Sequence, residues 1–457
     1  MRQPTGPSRM FFRALGLGLA LTGLGCVQLP QLGYRGKPAP AAGSPRPAGD
    51  GRNEYLLARR LADFGIGASR RAALEAASTG QTPIPGNQVA LLFDGPQTLG
   101  AMSAAISAAK DSINLETYIF DADELGISFA DLLIRKQGEG VRVNILYDCV
   151  GTLGTPESFF TRMREAGIHL CPFNPVNPLA RLGRWRINHR DHRKILVVDG
   201  TIGFTGGANI SGTYGHGSLF HRKSRKPSIL GWRDTHLRIQ GPAVAALQLL
   251  FVETWYGQTT EDLEPRAYFP ATPVAGDKTV RVLGSQPGSD FEMYRAYVQA
   301  FNDATRSIHL TAAYFVPDPQ IVQALTAAAR RGVDVQLILT NVADSGLVHH
   351  AGQSYYQTLL KAGIHVFQLK SSLLHAKTAV VDGRWSTVGS TNMDMRSFLF
   401  NKEVNVIVLG DAFGREMESA FQEDLKNSTE VTEAAWAQRS KGDQVKEWIG
   451  RALGPWL

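Results

Sequence analysis

The sequence predicts an α/β protein in which two pseudo-symmetric α-β-α lobes share a central site. Three observations lead to this fold class. First, four segments of the first half of the chain recur in the same order in the second half. Second, each copy alternates short β-branched runs with helical stretches, which is the βαβ pattern of a mostly parallel sheet covered by helices. Third, both copies contain the same polar motif, and a pseudo-two-fold axis between two like lobes would bring these motifs face to face.

The N-terminal region differs in composition from the rest of the chain. Three arginines precede the apolar run "ALGLGLALTGLG" (14–25), whose length is typical of the hydrophobic part of a signal peptide and short for a membrane span. We interpret residues 1–26 as a signal peptide or membrane anchor. The run ends at Cys26, which would carry lipid if this is a bacterial lipoprotein signal. We therefore expect a protein of the bacterial cell membrane with its lobes on the exported side.

The remaining chain divides into five segments. Residues 27–52 are rich in Pro, Ala and Gly, which predicts an unfolded tether. The following segments are an N-terminal helical segment (53–85), lobe 1 (86–265), lobe 2 (275–430) and a C-terminal helical tail (431–457). In the tail, Trp448, Ile449 and Leu453 recur at helical spacing, which favours packing against the core over binding to a membrane.

The internal repeat contains the polar motif. "AAKDSINLETYIF" (108–120) resembles "DATRSIHLTAAYF" (303–315), and "HRKILVVDG" (192–200) resembles "HAKTAVVDG" (375–383). In the second pair, a histidine and a lysine point to the same face of a predicted strand, and an Asp-Gly turn follows. One copy alone would be explained by an ordinary hairpin. Because the motif occurs twice at equivalent positions, we predict that the copies are two halves of one catalytic site. Its residues are His192, Lys194 and Asp199 in the first copy and His375, Lys377 and Asp382 in the second.

The surroundings of the motif are repeated as well. Asn209 and Asn392 follow their histidines at the same interval. Asp234 and Glu403 precede equivalent glycines at the same interval, so we predict that they are equivalent carboxylates on equivalent strands. The copies differ at one neighbouring position, where lobe 2 has the hydroxyl of Ser390 and lobe 1 has a glycine.

These residue types suit substitution at phosphorus through covalent catalysis. A neutral imidazole attacks phosphorus and forms a phospho-histidine, while the opposite imidazolium protonates the leaving oxygen and later activates the incoming hydroxyl. Asp234 and Glu403 would fix the tautomers of the histidines. The lysines, the asparagines and Ser390 would bind or support the phosphoryl oxygens. No metal-ligand spacing is evident in the sequence, which has three cysteines, so we expect no metal and no cofactor.

The paired motif His-x-Lys-x4-Asp resembles the signature of the phospholipase D superfamily, and the chain is most similar to its bacterial cardiolipin synthases. The segments that carry this resemblance are "GGAN" (206–209), "WRDTHLRIQGP" (232–242), "YFVPD" (314–318), "GSTNMDMRS" (389–397) and "NKEVNV" (401–406). The resemblance implies the phospholipase D fold and the conversion of two phosphatidylglycerol molecules to cardiolipin and glycerol without a metal cofactor. It also implies that His192 is the nucleophile and His375 the general acid and base. The motif aspartates, Asp199 and Asp382, belong to the catalytic signature, but we interpret them as turn residues.

Two alternatives remain open from the residues alone. Water in place of the lipid hydroxyl would make the protein a phospholipase D-type hydrolase, and the superfamily also includes phosphodiesterases and nucleases. The net charge of +7 favours an anionic partner, for which phospholipid substrates and an anionic membrane surface are our candidates. Basic clusters at 180–190 and 221–228 would gather lipid headgroups. We expect no nucleic acid, because the predicted strands lack aromatic and basic stacking platforms, and the sequence defines no oligomeric state.

Overall fold

The described part of the chain covers most of both lobes. The computed structural model describes residues 29, 30, 32, 51–177, 188–212, 231–288, 291–341, 346–370 and 372–454, with side chains from residue 57 onward in the first helix. The predicted signal segment with Cys26, the basic cluster at 221–228 and most of the cluster at 180–190 lie outside the described residues. Within the described ranges, no helix has both the length and the apolar character needed to cross a membrane.

Helices and short strands alternate in lobe 1 and in the segment before it. The helices are α1 (Gly51–Asp63), α2 (Ala68–Ser78), α3 (Asp94–Ala108), α4 (Glu124–Gly138), α5 (Glu157–Glu165) and α6 (Val244–Gln258). The strands are β1 (Ile84–Phe93), β2 (Ser112–Thr117), β3 (Arg142–Asp148), β4 (His169–Phe173), β5 (Arg190–Asp191), β6 (Ile195–Val198), β7 (Ile202–Gly206), β8 (Trp232–Arg233) and β9 (Thr235–Gln240).

Lobe 2 repeats this plan and continues into the C-terminal tail. Its strands are β10 (Lys278–Ser285), β11 (Ser307–Ala312), β12 (Phe315–Val316), β13 (Asp334–Thr340), β14 (His365–Leu369), β15 (Leu373–Leu374), β16 (Lys377–Val381), β17 (Trp385–Gly389), β18 (Met393–Asp394), β19 (Asn401–Leu409) and β20 (Ser428–Val431). The helices are α7 (Glu292–Asp303), α8 (Pro319–Arg330), α9 (Gly346–Gln353), α10 (Tyr356–Lys361), α11 (Met395–Leu399), α12 (Asp411–Lys426), α13 (Glu433–Ala437) and α14 (Lys441–Leu453).

The main strands of both lobes form one continuous sheet. Its order is β20-β14-β13-β11-β16-β17-β19-β10-β1-β9-β7-β6-β2-β3-β4. The arrangement on one side of the β10–β1 pair is repeated on the other side, so a pseudo-two-fold axis passes between these two antiparallel strands. The predicted fold class, two like α/β lobes about a common axis, is confirmed.

The expectation of a mostly parallel sheet is wrong. Strands β2, β3 and β4 are parallel to one another, as are β11, β13 and β14, but the pairs that lead from them to the lobe interface are antiparallel. The physical reason is the tight turn at residues 199–201 between β6 and β7, where Asp199 and Gly200 both have positive φ. The equivalent turn at Asp382 and Gly383 has the same geometry. Such a turn reverses the direction of the chain and makes an antiparallel hairpin.

The same local chemistry starts the equivalent helices α4 and α8. The side chain of Asp123 accepts a hydrogen bond from the backbone N–H of Gly126. The side chain of Asp318 accepts from two backbone N–H groups of α8, and Pro319 occupies the first turn, where no intrahelical donor is lost. Each cap follows the first parallel strand of its lobe, so the internal repeat extends to the helix starts.

The two lobes share part of their apolar core. Helix α6 buries nearly all of its side chains, including Trp255 and Phe251, because it packs against strands of both lobes. A central cluster contains residues of lobe 1 such as Val197 together with residues of lobe 2 such as Val406. Burying this apolar surface stabilises the lobes as one unit, so the sites at the ends of their strands are held in one geometry.

The chain termini contact lobe 2 in ways that composition did not predict. Leu29, in the predicted tether, is buried in the core of lobe 2, and the backbone N–H of Leu32 donates to the side-chain oxygen of Gln320. At the other terminus, Trp448 is 71% exposed and Ile449 is 42% exposed. The expectation that these two residues pack against the core is therefore wrong, because the helix that carries them turns its other face to the protein.

Candidate active site

The two histidine-lysine motifs lie at the same edge of the sheet. Strand β6 pairs antiparallel with β2, so the residues just before β6 lie beside the carboxyl end of β2. Strand β16 has the same relation to β11, where Lys377 pairs with Ala312. The pairing therefore places His192 and His375 at equivalent strand ends, as the repeat predicted.

Backbone hydrogen bonds attach each histidine to the opposite lobe. The N–H of His192 donates to the carbonyl oxygen of Lys402 at 2.9 Å, and β5 pairs parallel with the start of β19. The N–H of His375 donates to the carbonyl oxygen of Arg233 at 2.8 Å, and β15 pairs parallel with β8. Each histidine is therefore seated beside the residue that precedes the acid of the other lobe.

The carboxylates pair with the histidines crosswise. His192 Nδ1 lies 3.1 and 3.0 Å from the two carboxylate oxygens of Glu403, which belongs to lobe 2. His375 Nδ1 lies 2.8 Å from Oδ2 of Asp234, which belongs to lobe 1. A carboxylate at Nδ1 favours the tautomer with a proton on Nδ1, so the Nε2 lone pair of each ring is available for chemistry.

Burial shifts the pKa of both histidines downward. Burial lowers the pKa of His192, an effect that Glu403 opposes. Burial, followed by the charges of Lys377 and Lys194, holds the pKa of His375 well below its ordinary value. Both rings are therefore neutral near pH 7 when no substrate is bound, which is the protonation state that a nitrogen nucleophile requires.

The two lysines provide positive charge beside the rings. Lys194 Nζ donates to the carbonyl oxygen of His192 at 2.7 Å, and Lys377 Nζ donates equivalently to that of His375. Burial lowers the pKa of Lys194 to about 7, with Glu403 opposing the shift and Lys377 reinforcing it. Two close ammonium groups in a buried site attract an anion, because the anion relieves their mutual repulsion.

The two carboxylates have different environments. Burial alone would raise the pKa of Glu403, but His192, Lys194 and the hydroxyl of Ser390, which donates to Oε2, outweigh burial and lower it. Burial raises the pKa of Asp234 to about 6, although Lys377 opposes this shift. The residue equivalent to Ser390 is Gly207, where a Cβ atom would lie 2.1 Å from Oδ1 of Asp234. The shorter aspartate therefore occupies space that a serine would need.

The equal spacing of the two asparagines from their histidines brings both to the active-site edge of the sheet, where their contacts differ. The side-chain oxygen of Asn209 accepts a hydrogen bond from the backbone N–H of Ile119 at 3.2 Å, which holds the loop after β2. The side-chain oxygen of Asn392 is buried and has no hydrogen-bond partner among the described residues. This oxygen can accept a hydrogen bond but not donate one, so it would serve a substrate hydroxyl and not a phosphoryl oxygen.

The motif aspartates lie at the opposite ends of their strands. The carboxylate of Asp199 accepts hydrogen bonds from the backbone N–H groups of Lys110, Asp111 and Ser112. Asp382 accepts from the equivalent backbone groups of residues 305–307. Their inclusion in the catalytic signature therefore reflects a turn that ties the hairpin to the neighbouring strand, and the structure does not bring them to the histidines.

Three residues at the site were not singled out from the sequence. The ring centroids of Tyr118 and His192 are 5.0 Å apart, and those of Trp232 and His375 are also 5.0 Å apart. Arg193 is fully buried and donates to the carbonyl oxygens of Glu403 and Ser285, both in lobe 2. Tyr118 was detectable in principle, because it directly follows the carboxyl end of β2. Among the described residues, no group of three or more His, Cys, Asp and Glu side chains is arranged to hold a metal ion.

The site divides into half-site 1, which consists of His192, Lys194, Glu403 and Ser390, and half-site 2, which consists of His375, Lys377, Asp234 and Gly207. Each half-site contains residues of both lobes.

A family model described as "Cardiolipin synthase, PLD-like domain" matches residues 102–214 and 297–425, the parts of the chain that contain both motifs. The chain is 37% identical over 375 residues to the cardiolipin synthase of Listeria innocua, a match that covers 81% of this chain and 76% of the relative. It is 36% identical over 383 residues to the cardiolipin synthase of Geobacillus kaustophilus, covering 83% of this chain and 74% of the relative.

Solved structures show the same fold at low sequence identity. The phosphatidylserine synthase of Haemophilus influenzae superposes with a TM-score of 0.59 at 14% identity, covering 84% of this chain and 96% of that one. The polyphosphate kinase of Porphyromonas gingivalis superposes with a TM-score of 0.50 at 14% identity, covering 80% of this chain and 52% of that one. The resemblance inferred from the motifs is confirmed by the family match and by the sequence relatives.

Proposed function

Because the chain belongs to the cardiolipin synthase family of phospholipase D-like proteins, we propose that it transfers a phosphatidyl group from one phosphatidylglycerol to the hydroxyl of another. The protein is a phosphatidyltransferase that acts on phospholipids and is associated with the membrane. The observation that carries the proposal is the pair of histidines, each with a carboxylate on Nδ1, beside two buried lysines. The family supports the lipid substrate, and the geometry supports the following division of labour.

In the first step, His192 Nε2 attacks the phosphorus of phosphatidylglycerol. A bond forms between Nε2 and phosphorus, and the bond between phosphorus and the glycerol oxygen breaks. The ring becomes positively charged, and Glu403 at Nδ1 stabilises this charge because its lowered pKa keeps it ionised. His375 gives its proton to the departing glycerol oxygen.

His375 needs a proton for this step, although its pKa is low in the site without substrate. The charges of Lys377 and Lys194 are among the causes of that low pKa. A bound phosphodiester carries a negative charge that offsets both lysines, so substrate binding raises the pKa of His375 and favours its protonation. The substrate therefore helps to create the general acid that it needs.

In the second step, the now neutral His375 removes the proton from the hydroxyl of a second phosphatidylglycerol. That oxygen attacks phosphorus, the bond from phosphorus to His192 Nε2 breaks, and cardiolipin is formed. In this mechanism Lys194, Lys377 and the side-chain N–H group of Asn392 would donate hydrogen bonds to the phosphoryl oxygens in both steps, and Asn209 would support the adjoining loop. The protein side chains supply all the groups that these steps require.

The decisive experiment supplies the purified protein with labelled phosphatidylglycerol in detergent plus EDTA and identifies the products by mass spectrometry. Cardiolipin with an equal amount of glycerol is the expected result, since no step above uses a metal ion. Phosphatidic acid as the sole lipid product would make the protein a hydrolase with the same two-step mechanism. Cleavage of nucleic acid in place of lipid would contradict the proposal.

We also propose, from the sequence, how the protein reaches its substrate. The apolar run at 14–25 and Cys26 would anchor the chain and place the lobes on the exported side. Mass spectrometry of the protein from bacterial membranes tests this directly. A diacylated Cys26 at the mature N-terminus is expected for a lipoprotein. A chain that retains residue 1 would show instead that residues 1–26 are an uncleaved anchor.

A further inference from the structure

Helix α14 is amphipathic, but its apolar side faces the solvent and its polar side faces the protein. Its exposed side carries Val445, Trp448, Ile449 and Ala452, which are spaced three and four residues apart and form one stripe. Val445 is 57% exposed, Trp448 71% and Ile449 42%. A surface helix normally turns such a stripe to the core. We call these four residues the α14 stripe.

The face of α14 that meets the protein is made of small and polar residues. A Cβ atom at Gly450 would lie 2.6 Å from the backbone nitrogen of Ala351, so α14 and α9 pack almost backbone to backbone. Glu447 is buried and accepts hydrogen bonds from Arg439. Because this face is fully used, rotating the helix to bury the α14 stripe would break the Arg439 pair and separate the two helices.

The α14 stripe lies at the active-site edge of lobe 2. Helix α9 packs beside the residues that follow β11, where a Cβ atom at Gly352 would lie 2.8 Å from the carbonyl oxygen of Phe315. The N–H of Ala313, just before it, donates to the carbonyl oxygen of Ala376, the neighbour of His375. The stripe therefore lies at the same edge of lobe 2 as His375, with α9 and the residues after β11 between them.

Exposed apolar residues of lobe 1 lie at the same edge. Among the described residues, six large apolar side chains are exposed: Ile127, Leu153, Val274, Val445, Trp448 and Ile449. Ile127 and Leu153 follow the carboxyl ends of β2 and β3, the edge that carries His192. Only Val274, before β10, lies at the opposite edge. The apolar exposure is thus concentrated on the active-site side.

Cations accompany the α14 stripe. Lys441, Lys446 and Arg451 are exposed on the same helix. Lys446 pairs with Asp443 of the same helix, and Glu447 pairs with Arg439, so Lys441 and Arg451 are the two cations of α14 that no acid of this helix neutralises. An apolar stripe that contains a tryptophan and is flanked by cations fits the interface of an anionic bilayer, where the indole lies among the headgroups and the cations meet lipid phosphates.

We propose that α14 is a membrane-docking helix whose stripe inserts into the interface of an anionic phospholipid bilayer and so presents the active-site edge to its lipid substrates. The proposal rests on the proposed function in one respect, since a lipid substrate explains why the stripe lies beside the site. Docking itself requires no turnover, so it can be tested whether or not the protein makes cardiolipin.

The first test reads the position of Trp448 in the full-length protein bound to vesicles. The vesicles contain phosphatidylglycerol and phosphatidylcholine, with bromine atoms on the upper acyl chain of the phosphatidylcholine. The difference in fluorescence between the parent protein and Trp448→Phe isolates the emission of Trp448, while phenylalanine preserves the apolar stripe. We expect brominated vesicles to quench this difference emission. Equal difference emission with brominated and unbrominated vesicles would overturn the proposal, even if the N-terminal segment holds the protein on the membrane.

The second test measures how docking affects access to lipid. The triple variant Val445→Ser/Trp448→Ser/Ile449→Ser is compared with Val274→Ser, which removes a 76% exposed apolar side chain from the opposite edge. Losing three apolar contacts with the interface should raise the KM for vesicle substrate by at least about tenfold. Turnover in detergent micelles should stay unchanged, and Val274→Ser should behave as the parent in both assays. An unchanged vesicle KM in the triple variant contradicts docking by α14, whereas absence of cardiolipin in every sample contradicts the proposed function alone.

Discussion

Half-sites 1 and 2 have the same framework but different chemistry. In both, a histidine from one lobe pairs through Nδ1 with a carboxylate from the other lobe. Half-site 1 uses the longer Glu403, which receives a hydrogen bond from Ser390 and has a lowered pKa. Half-site 2 uses the shorter Asp234, whose pKa burial raises to about 6. The near-symmetric fold therefore gives its two histidines carboxylate partners with different electrostatics, because His192, Lys194 and the Ser390 hydroxyl outweigh burial at Glu403, whereas burial dominates at Asp234.

This difference supports the assignment of the nucleophile to half-site 1. A phospho-histidine is positively charged, and a carboxylate that stays ionised stabilises it throughout the lifetime of the intermediate. The general acid and base is positively charged during only part of each cycle, so it depends less on a lowered pKa of its carboxylate partner. The lowered pKa of Glu403 matches the requirement of the nucleophile, whereas Asp234, with a pKa of about 6, is still mostly ionised near pH 7.

The largest predicted effect comes from removing either histidine. His192→Ala and His375→Ala should each reduce turnover by about 10⁴-fold, because residues that act as one catalytic unit fail together. The two variants should differ in a labelling experiment with fluorescent phosphatidylglycerol. His375→Ala should slowly accumulate labelled protein, because its intermediate cannot be resolved, while His192→Ala should remain unlabelled. If His192→Ala accumulates labelled protein and His375→Ala does not, His375 is the nucleophile and His192 is the general acid and base.

A smaller effect is predicted for exchanging the residues that distinguish the half-sites. Gly207→Ser should reduce kcat by about 100-fold, because the new Cβ atom displaces Asp234 and misorients His375. Ser390→Gly should reduce it only about tenfold, because it removes one hydrogen bond from Glu403 without a clash.

The matched control for this exchange is the double variant Gly207→Ser/Asp234→Glu, which reproduces in half-site 2 the pair present in half-site 1. It should be more active than Gly207→Ser alone. If the double variant is no better than the single one, steric conflict between residues 207 and 234 does not explain the difference between the half-sites.

The pH dependence of kcat/KM should reflect both half-sites, since this parameter reports the ionisation of the free enzyme. The pKa of Lys194 is lowered to about 7, so its charge is lost as the pH rises through that value, and binding of the phosphodiester weakens. The pKa of Asp234 is raised to about 6, so its charge is lost as the pH falls through that value. We expect a bell-shaped profile with limits near these values, shifted because the groups are coupled.

Lys194→Arg tests the assignment of the alkaline limb. Arginine keeps its charge above pH 7, so the limb should move to higher pH even if the maximal rate falls. If the alkaline limb stays in place, a group other than Lys194 causes it.

The smallest effect on activity is predicted for the motif aspartates. Asp199→Asn and Asp382→Asn should each lower the free energy of unfolding by about 1–3 kcal/mol, because each carboxylate accepts several backbone N–H groups. Their kcat per folded molecule should stay within about twofold of the parent, because neither contacts the histidines. Urea unfolding and an active-site titration with the fluorescent lipid measure the two quantities separately.

Asp277→Asn provides the control for these two variants, since this aspartate is 84% exposed and should leave stability unchanged. A specific loss of kcat in Asp199→Asn, at full folding, would restore a catalytic role to the motif aspartate.

The internal repeat of the sequence determined the fold class and brought together most of the candidate site. Equivalent positions in two like copies identified His192 and His375 with their lysines, and equal spacing identified Asn209 and Asn392. Asp234 and Glu403 were found in the same way. This was possible because strand pairing and turn chemistry are local, so a repeated pattern folds into a repeated structure.

Only the tertiary structure decided which carboxylate serves which histidine. The crosswise pairing depends on β5 lying beside β19 and on β8 lying beside β15, and these contacts arise when the lobes pack across the β1–β10 junction. The steric conflict between Gly207 and Asp234, the placement of Tyr118 and Trp232, and the outward face of α14 have the same origin. They depend on distances between elements that are remote in sequence, and helical spacing alone cannot indicate whether an apolar stripe faces the core or the solvent.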